Sequence, residues 1–174
     1  MKLKYFSFLI AIFISLSFGL PKNIQKKVDK EIRDTFNLET FNFSSYAIDQ
    51  KIAKNLPSKF GVDNFFKIEK GSFLGYAYVA QAPSKTAQFD YLVLLDKDLV
   101  VVKTKVLIYR EDYGGEIGST RWLKQFIGKS GNDELVYGDN IMAISGATIS
   151  VRSMTSAMNN LLESLKILQE KSIF

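Results

Sequence analysis

A run of small and hydroxyl-bearing residues, Ser-Gly-Ala-Thr-Ile-Ser at positions 145–150, lies directly before the last apolar periodicity of the chain. From Val151 to Leu168 apolar residues recur at alternating steps of three and four, which predicts one face of an amphipathic helix. Free N–H groups and the helix dipole make the start of such a helix favourable for an anion. Gly146 and Ala147 remove side-chain bulk at that point. The sequence therefore predicts a place where a phosphate fits.

The same run also allows a purely structural interpretation. Ser150 or Thr148 can act as the N-cap, because a hydroxyl there accepts a hydrogen bond from one of the first free N–H groups of the helix. On that interpretation residues 145–150 only cap a helix, and the chain is a binding or interaction domain without a cofactor. A cap accounts for one hydroxyl and leaves the two small residues between the hydroxyls unexplained.

The segment Ser145-Gly146-Ala147-Thr148, followed by a helix, resembles the flavinylation motif of the FMN-binding domain family. That family includes the C and G subunits of the sodium-pumping NADH:quinone oxidoreductase and Rnf complexes. The resemblance implies that FMN is joined through its phosphate to the hydroxyl of Thr148. It also implies a separate flavin transferase that uses FAD and magnesium to form the phosphoester. Family members often carry Asp six residues before the acceptor Thr, where this chain has Met142.

A glycine-rich loop at residues 109–119 is the second stretch with chemical potential. It leaves a predicted strand and enters a short helix for which Ser119 is the predicted N-cap. Its three glycines let the backbone approach a flat ligand closely. Tyr113 and Trp122 are candidates to stack on the flavin ring or to shield one side of it, although core packing of the short helix is favoured for Trp122.

Two positions of this loop match related flavin domains, in which a Glu-Thr-Pro-Gly-Leu-Gly loop follows a strand. Glu111 and Gly114 are the matching residues, and the positions around them depart from the pattern. Glu111 is interpreted either as a surface carboxylate or as a residue that orders the loop. Arg110 and Arg152 are candidates to meet the flavin phosphate, and Arg152 is the better placed because it lies in the first turn after Thr148.

The predicted cofactor-binding set combines the two stretches. It consists of Thr148, as the site of covalent FMN, with Ser145, Gly146, Ala147, Ser150, Arg152, Glu111, Gly114 and Trp122. No catalytic residue and no metal ligand is predicted.

The composition restricts the chemistry further. The chain has neither Cys nor His, which excludes thiolate nucleophiles, Ser-His-Asp triads, the usual zinc sites and His-ligated haem. Redox chemistry must therefore come from an organic cofactor. The formal charge is +5, of which Lys2 and Lys4 contribute two charges. The basic residues are scattered, so no nucleic-acid partner is expected.

Residues 1–19 have the pattern of a secretory signal peptide. A basic opening precedes an apolar run from Tyr5 to Phe18, which is shorter than the roughly 20 residues of a comfortable membrane span. Small residues place cleavage before Leu20, and an uncleaved N-terminal anchor is the alternative. Either outcome exports residues 20–174, which we expect to form one FMN-binding domain in the periplasm or another extracytoplasmic space.

The elements that must position these stretches indicate an α+β fold, with an antiparallel meander packed against helices. Residues 22–36 form a predicted helix with a charged, wet side that includes Glu31, and residues 37–45 are interpreted as a connector. The mixed face of the last strand, with Lys103 and Lys105, is expected to be partly covered by a helix. A short helix at 48–56, strands at 65–69, 73–82, 89–95 and 99–109, and a short strand at 141–144 complete the prediction.

The predicted function is that of an exported flavoprotein that relays electrons in an extracytoplasmic or membrane-associated redox chain. Its expected partners are the flavin transferase and unidentified redox donor and acceptor proteins, which include membrane-bound ones as candidates. The flavin-free binding domain described above is the competing hypothesis. We expect an electron-transfer protein or redox subunit more than a free-standing enzyme.

Overall fold

The computed structural model describes residues 19–174, so nearly all of the predicted signal peptide lies outside the described residues. No helix within the described part is both long and apolar enough to cross a membrane. The helices are α1 (Lys22–Phe36), α2 (Gln50–Ala53), α3 (Thr120–Leu123) and α4 (Thr148–Glu170). The strands are β1 (Asn42–Ser45), β2 (Phe65–Lys70), β3 (Ser72–Pro83), β4 (Gln88–Asp96) and β5 (Val101–Ile108). Short 3₁₀ turns lie at Gly115–Gly118 and Lys124–Phe126.

The five strands form one sheet in the order β1-β2-β3-β4-β5, and every neighbouring pair is antiparallel. Consecutive strands are therefore neighbours, as expected for β2 to β5, which short turns connect. This confirms the predicted α+β meander. The order leaves β1 and β5 at the two edges of the sheet, and the chain passes from β5 directly into the glycine-rich loop.

Helices cover both faces of the sheet. In β4, Tyr91 and Val93 point to the face that packs against α4, whereas Leu92 and Leu94 point to the face that packs against α1. This alternation follows from the two-residue period of a strand. Because both of its faces are buried, β4 is apolar almost throughout, and it lies at the centre of the core.

Two predictions are wrong: the connector at residues 37–45 and the short strand at residues 141–144. Residues 37–45 contain β1, which pairs with β2 and places Phe43 on Phe66 with ring centroids 4.4 Å apart. That aromatic contact is long-range, so no local periodicity reveals it. The predicted strand at 141–144 is reduced to a single bridge between Tyr137 and Ile141.

Glu31 on α1 does not lie on a wet side as predicted. Its side chain is buried, and its two carboxylate oxygens lie 3.5 Å from the ammonium groups of Lys103 and Lys105. These lysines project from β5 towards α1. The prediction that a helix partly covers the mixed face of the last strand is therefore confirmed, and opposite charge explains why that helix tolerates a buried carboxylate.

Candidate functional site

Helix α4 begins at Thr148 without a side-chain cap. Ala147 is the N-cap residue, and no side chain bonds to the first turn there. The first N–H groups of a helix have no partner within the helix, so this helix start remains available to an anion. The prediction that Ser150 or Thr148 caps the helix is therefore wrong. Gly146, with a φ of 77°, makes the left-handed turn that leads the chain into the helix.

The three hydroxyls of the motif differ in their surroundings. Ser150 is only 3% exposed, and its Oγ lies 3.0 Å from the hydroxyl of Tyr109 at the end of β5. Ser145 is exposed and lies outside the lining of the cavity described next. Thr148 is exposed and lines that cavity. It is the hydroxyl of the three that is both accessible and placed at the helix start.

A cavity of about 510 Å³ lies against the start of α4. This volume is within the range of about 300–1,000 Å³ that is usual for small-molecule and cofactor sites. Tyr113 and Ile149 contribute strongly exposed apolar side chains to it, at 82% and 51% exposure. The lining residues are Lys85, Tyr109, Glu111, Tyr113, Gly146, Ala147, Thr148, Ile149 and Ser150.

The glycine-rich loop packs directly on the motif at Gly114. This residue has a φ of 78°, and a Cβ added to it would lie 2.7 Å from the Cβ of Ala147 and 3.2 Å from the hydroxyl oxygen of Tyr109. Real Cβ atoms do not approach so closely, so glycine is required here for both conformation and space. The two stretches singled out in the sequence are thus one structural unit.

We expect Gly114→Ala to lower the free energy of unfolding by about 1–3 kcal/mol, through the positive φ and overpacking against Ala147. Urea unfolding gives the measurement. Gly115→Ala is the matched control, because a Cβ at Gly115 has nothing within 4 Å and no positive φ. Equal stability of the Gly114→Ala and Gly115→Ala variants would contradict the proposed close approach.

Glu111 anchors the turn between β3 and β4 to the glycine-rich loop. Its carboxylate accepts hydrogen bonds from the Ser84 hydroxyl at 2.6 Å, the Thr86 amide at 2.7 Å, the Thr86 hydroxyl at 2.8 Å and the Ala87 amide at 3.1 Å. The bond from Ser84, followed by those from Thr86, lowers the pKa of the Glu111 carboxyl to about 2. Glu111 therefore orders the loop, which is one of the two roles considered for it from the sequence.

This lowered pKa gives a pH dependence of defined sign. The bonds stabilise the ionised form, so their contribution to stability is complete above the ordinary pKa of about 4.3 and is lost as the pH falls towards 2. We expect the Thr86 amide resonance to titrate with Glu111, with a midpoint near 2 by NMR. In Glu111→Gln this titration should disappear, and its persistence would assign it to another group.

Trp122 lies in the core and outside the lining of the Thr148 cavity. Its ring packs edge-on against Phe126 at 5.2 Å, and its Nε1 donates to the Met142 carbonyl at 2.7 Å. Gln125 accepts a hydrogen bond from the Met142 amide at 2.6 Å. Both residues thus hold the backbone that leads to the motif. Trp122 also lines a neighbouring cavity of about 250 Å³ beside Met142 and Ile144.

The two candidate arginines lie outside the lining of the Thr148 cavity. Arg152 is exposed, and its guanidinium carbon is 4.8 Å from the centre of the Tyr137 ring. Arg110 bonds to the Gln88 carbonyl and forms an ion pair with Asp90. A phosphate role for Arg152 stays a prediction.

Lys85 is the basic residue that does line the cavity, and the predicted set omits it. Its turn, at residues 83–87, appears in the sequence only as the boundary between two strands. Glu111 holds that turn from one side, and the Ser153 hydroxyl of α4 donates to the Pro83 carbonyl from the other. The Pro-Ser-Lys pattern indicates a turn, and no local signal shows that it lies beside Thr148.

The residues present fit FMN. An uncapped helix start suits its phosphate, the small residues at 146 and 147 leave room for it, and the cavity is large enough for a cofactor. Exposed Tyr113 and Ile149 offer apolar surface to a flat ring.

The fold and this site define an α+β domain with a cofactor-sized cavity at the uncapped start of its last helix. Residues 86–163 match the model of the FMN-binding domain family. This segment contains β4, β5, the glycine-rich loop, the motif and most of α4. This match confirms the resemblance seen in the sequence, for the part of the chain that carries the motif and the glycine-rich loop.

Among solved structures, NqrC of Shewanella oneidensis is similar to this chain, with 22% sequence identity and a TM-score of 0.48. The match covers 67% of this chain and 62% of NqrC, so this chain spans less than two thirds of that protein. No curated protein matches the chain.

Proposed function

We propose that this domain carries FMN through a phosphoester on Thr148 and relays electrons outside the cytoplasm. The observation that carries the proposal is the position of Thr148, an exposed hydroxyl at the uncapped start of α4 that lines a cofactor-sized cavity. The match of residues 86–163 to the model of the FMN-binding domain family supports the identity of the cofactor.

The attachment step balances with FAD as the donor. A flavin transferase, with magnesium, breaks the pyrophosphate bond of FAD, and the Thr148 oxygen forms a new bond to the phosphorus of the FMN half. AMP leaves, and the hydroxyl proton passes to the leaving phosphate or to solvent. The protein gains the mass of FMN less one water.

Accessibility favours Thr148 over the other two hydroxyls. Ser150 is buried and bonded to Tyr109, so a transferase cannot reach it without opening α4. Ser145 is exposed but lies before the left-handed turn at Gly146, away from the helix start. Met142, at the position where related motifs often carry Asp, has an exposed side chain. The chain thus presents no carboxylate at that position.

Bound FMN supplies one- or two-electron redox chemistry, and the chain supplies position, environment and a tether. Tyr113 and Ile149 are placed to cover apolar ring surface, and the N–H groups at the start of α4 are placed to hold the phosphate. A covalent tether prevents loss of the cofactor by dilution outside the cytoplasm. We propose that residues 1–19 direct that export and that redox proteins dock as electron donor and acceptor.

We expect protein produced together with its flavin transferase to keep flavin fluorescence on a denaturing gel. Its intact mass should be raised by FMN less water, and the same spectrum reports whether residues 1–19 have been removed. Thr148→Ala should abolish the fluorescence and the mass increase, because no other hydroxyl combines exposure with this position.

Ser145→Ala and Ser150→Ala are the matched controls and should keep the label. Label that persists in Thr148→Ala and is lost in either control would move the attachment to that serine. Unlabelled wild-type protein in the presence of active transferase would overturn covalent attachment and favour the flavin-free binding domain.

Lys85 is proposed to place a positive charge beside the bound flavin. Its loss in Lys85→Gln should lower the reduction potential of the flavin, because reduction adds negative charge. An exposed charge interaction of about 0.5–1 kcal/mol corresponds to roughly 10–20 mV for a two-electron couple. Spectroelectrochemistry gives the measurement, with Lys97→Gln on the β4–β5 turn as the charge-matched control. Equal potentials in the two variants would contradict the role of Lys85.

A further inference from the structure

Arg152 carries a positive charge that no carboxylate of the described residues balances by an ion pair. Its guanidinium lies over the ring of Tyr137 instead, with the guanidinium carbon 4.8 Å from the ring centre. A contact of this kind uses the face of the guanidinium, whereas its N–H donors lie at the edge of the plane. The ring therefore orders a cation without using its hydrogen-bond donors.

Two other arginines of the described residues show the contrast. Arg33 also lies over an aromatic ring, that of Phe41, but its Nε donates to the Glu39 carbonyl. Arg110 donates to the Gln88 carbonyl and pairs with Asp90. Each of these side chains has an acceptor within the protein, which gives it a structural role. Arg152 is held in place by a ring alone, so its donors are directed to an acceptor that the described residues do not supply.

Tyr137 is a fixed support for this cation. Its side chain is half-buried and packs against the core cluster that includes α4. Its backbone pairs with Ile141. The side chain of Asn140 holds the same turn, because it accepts from the Val136 amide and donates to the Glu134 carbonyl, both at 2.8 Å. Contacts within the protein thus fix the ring before any ligand is bound.

The loop that carries Tyr137 follows the face of α4 on which Thr148 lies. Arg152 and Asn159 follow Thr148 along the helix by one and by three turns, at spacings that place all three on one face. The Asn159 side chain accepts from the Leu135 amide at 2.9 Å and donates to the Leu135 carbonyl at 2.7 Å. Two residues later the loop meets Arg152, which is nearer the helix start. The loop therefore advances along this face towards Thr148.

A phosphate on Thr148 lies within reach of the Arg152 guanidinium. Residues four apart in a helix have Cβ atoms about 5–6 Å apart. Long side chains of a helix lean towards its N-terminus, which directs Arg152 towards Thr148. The guanidinium then lies one turn beyond the cavity, which agrees with its position outside the cavity lining.

We propose that Tyr137 is a positioning residue that holds Arg152 for the phosphate of the flavin tether. This inference rests on the proposed attachment of FMN to Thr148. The tether is a phosphate diester with one negative charge, and its two terminal oxygens match the paired N–H donors of a guanidinium. Tyr137 touches neither the phosphate nor the flavin and acts through Arg152.

The test follows the Nε–H resonance of Arg152 by NMR in unlabelled protein and in flavin-labelled protein. Its absence from Arg152→Gln assigns the resonance. Intact mass establishes first whether the label is present, so a failure of attachment is seen separately from a failure of this inference. We expect labelling to move the resonance downfield and to slow its exchange with water roughly tenfold, because the N–H bonds to a charged acceptor. The ³¹P resonance of the tether should move in Arg152→Gln.

Tyr137→Leu removes the ring, and Tyr137→Phe retains it. In labelled Tyr137→Leu the change at the Arg152 Nε–H should be largely lost, whereas Tyr137→Phe should retain it. Lys166→Gln is the charge-matched control for Arg152→Gln, because Lys166 is exposed on the same helix, roughly 27 Å from Thr148. It should leave the ³¹P resonance unchanged.

A merely structural role for Tyr137 predicts a different result. Tyr137→Leu would then lower the Tm of labelled and unlabelled protein equally, and its Arg152 resonance would still respond to the label, which would overturn the proposal. An Arg152 resonance that is the same in labelled and unlabelled wild type would also overturn it. If the mass shows no label, free FMN is titrated into the wild type, and an unresponsive Arg152 resonance refutes the phosphate contact independently of the tether.

Discussion

The close contact between the glycine-rich loop and the start of α4 is the constraint on which the site depends. Gly114 meets Ala147 at a distance that excludes any side chain, and Tyr109 and Ser150 are joined by a hydrogen bond beside it. These contacts fix the end of β5 to the first turn of the longest helix. Because α4 packs along the sheet, the core holds the helix start rigidly, and Thr148 is displayed on a fixed support.

The polar contacts around the cavity work mainly by positioning. Glu111 gathers four hydrogen bonds from the β3–β4 turn and so brings Lys85 to the cavity. Trp122 and Gln125 hold the two backbone groups of Met142. Neither group of contacts requires chemical reactivity in the side chain. These contacts therefore position the parts of the cavity, which is consistent with the proposal that bound FMN supplies the chemistry.

Local sequence patterns correctly predicted the helices and strands whose own residues show a regular apolar repeat. Residues 22–36 form a helix with the predicted bounds, and the four predicted strands and the Ser119 cap are present. The failures are non-local: β1 depends on Phe43 meeting Phe66, and the buried position of Glu31 depends on two lysines of β5. The residues of the candidate site also fall into those that local sequence patterns predict and those that they do not. The motif and Gly114 are visible in sequence, whereas Lys85 reaches the cavity only through hydrogen bonds that link distant turns.

The exposure of Thr148 on an intact helix bears on whether this domain folds before or after a cofactor is attached. Since the first turn of α4 already presents the hydroxyl to solvent, the proposed attachment of FMN to Thr148 would need no opening of the domain. A modifying enzyme that recognises the folded support would pass over chains in which the loop and helix have not yet met. Cofactor content would then report on maturation, and the redox-active population would consist of chains that had completed folding.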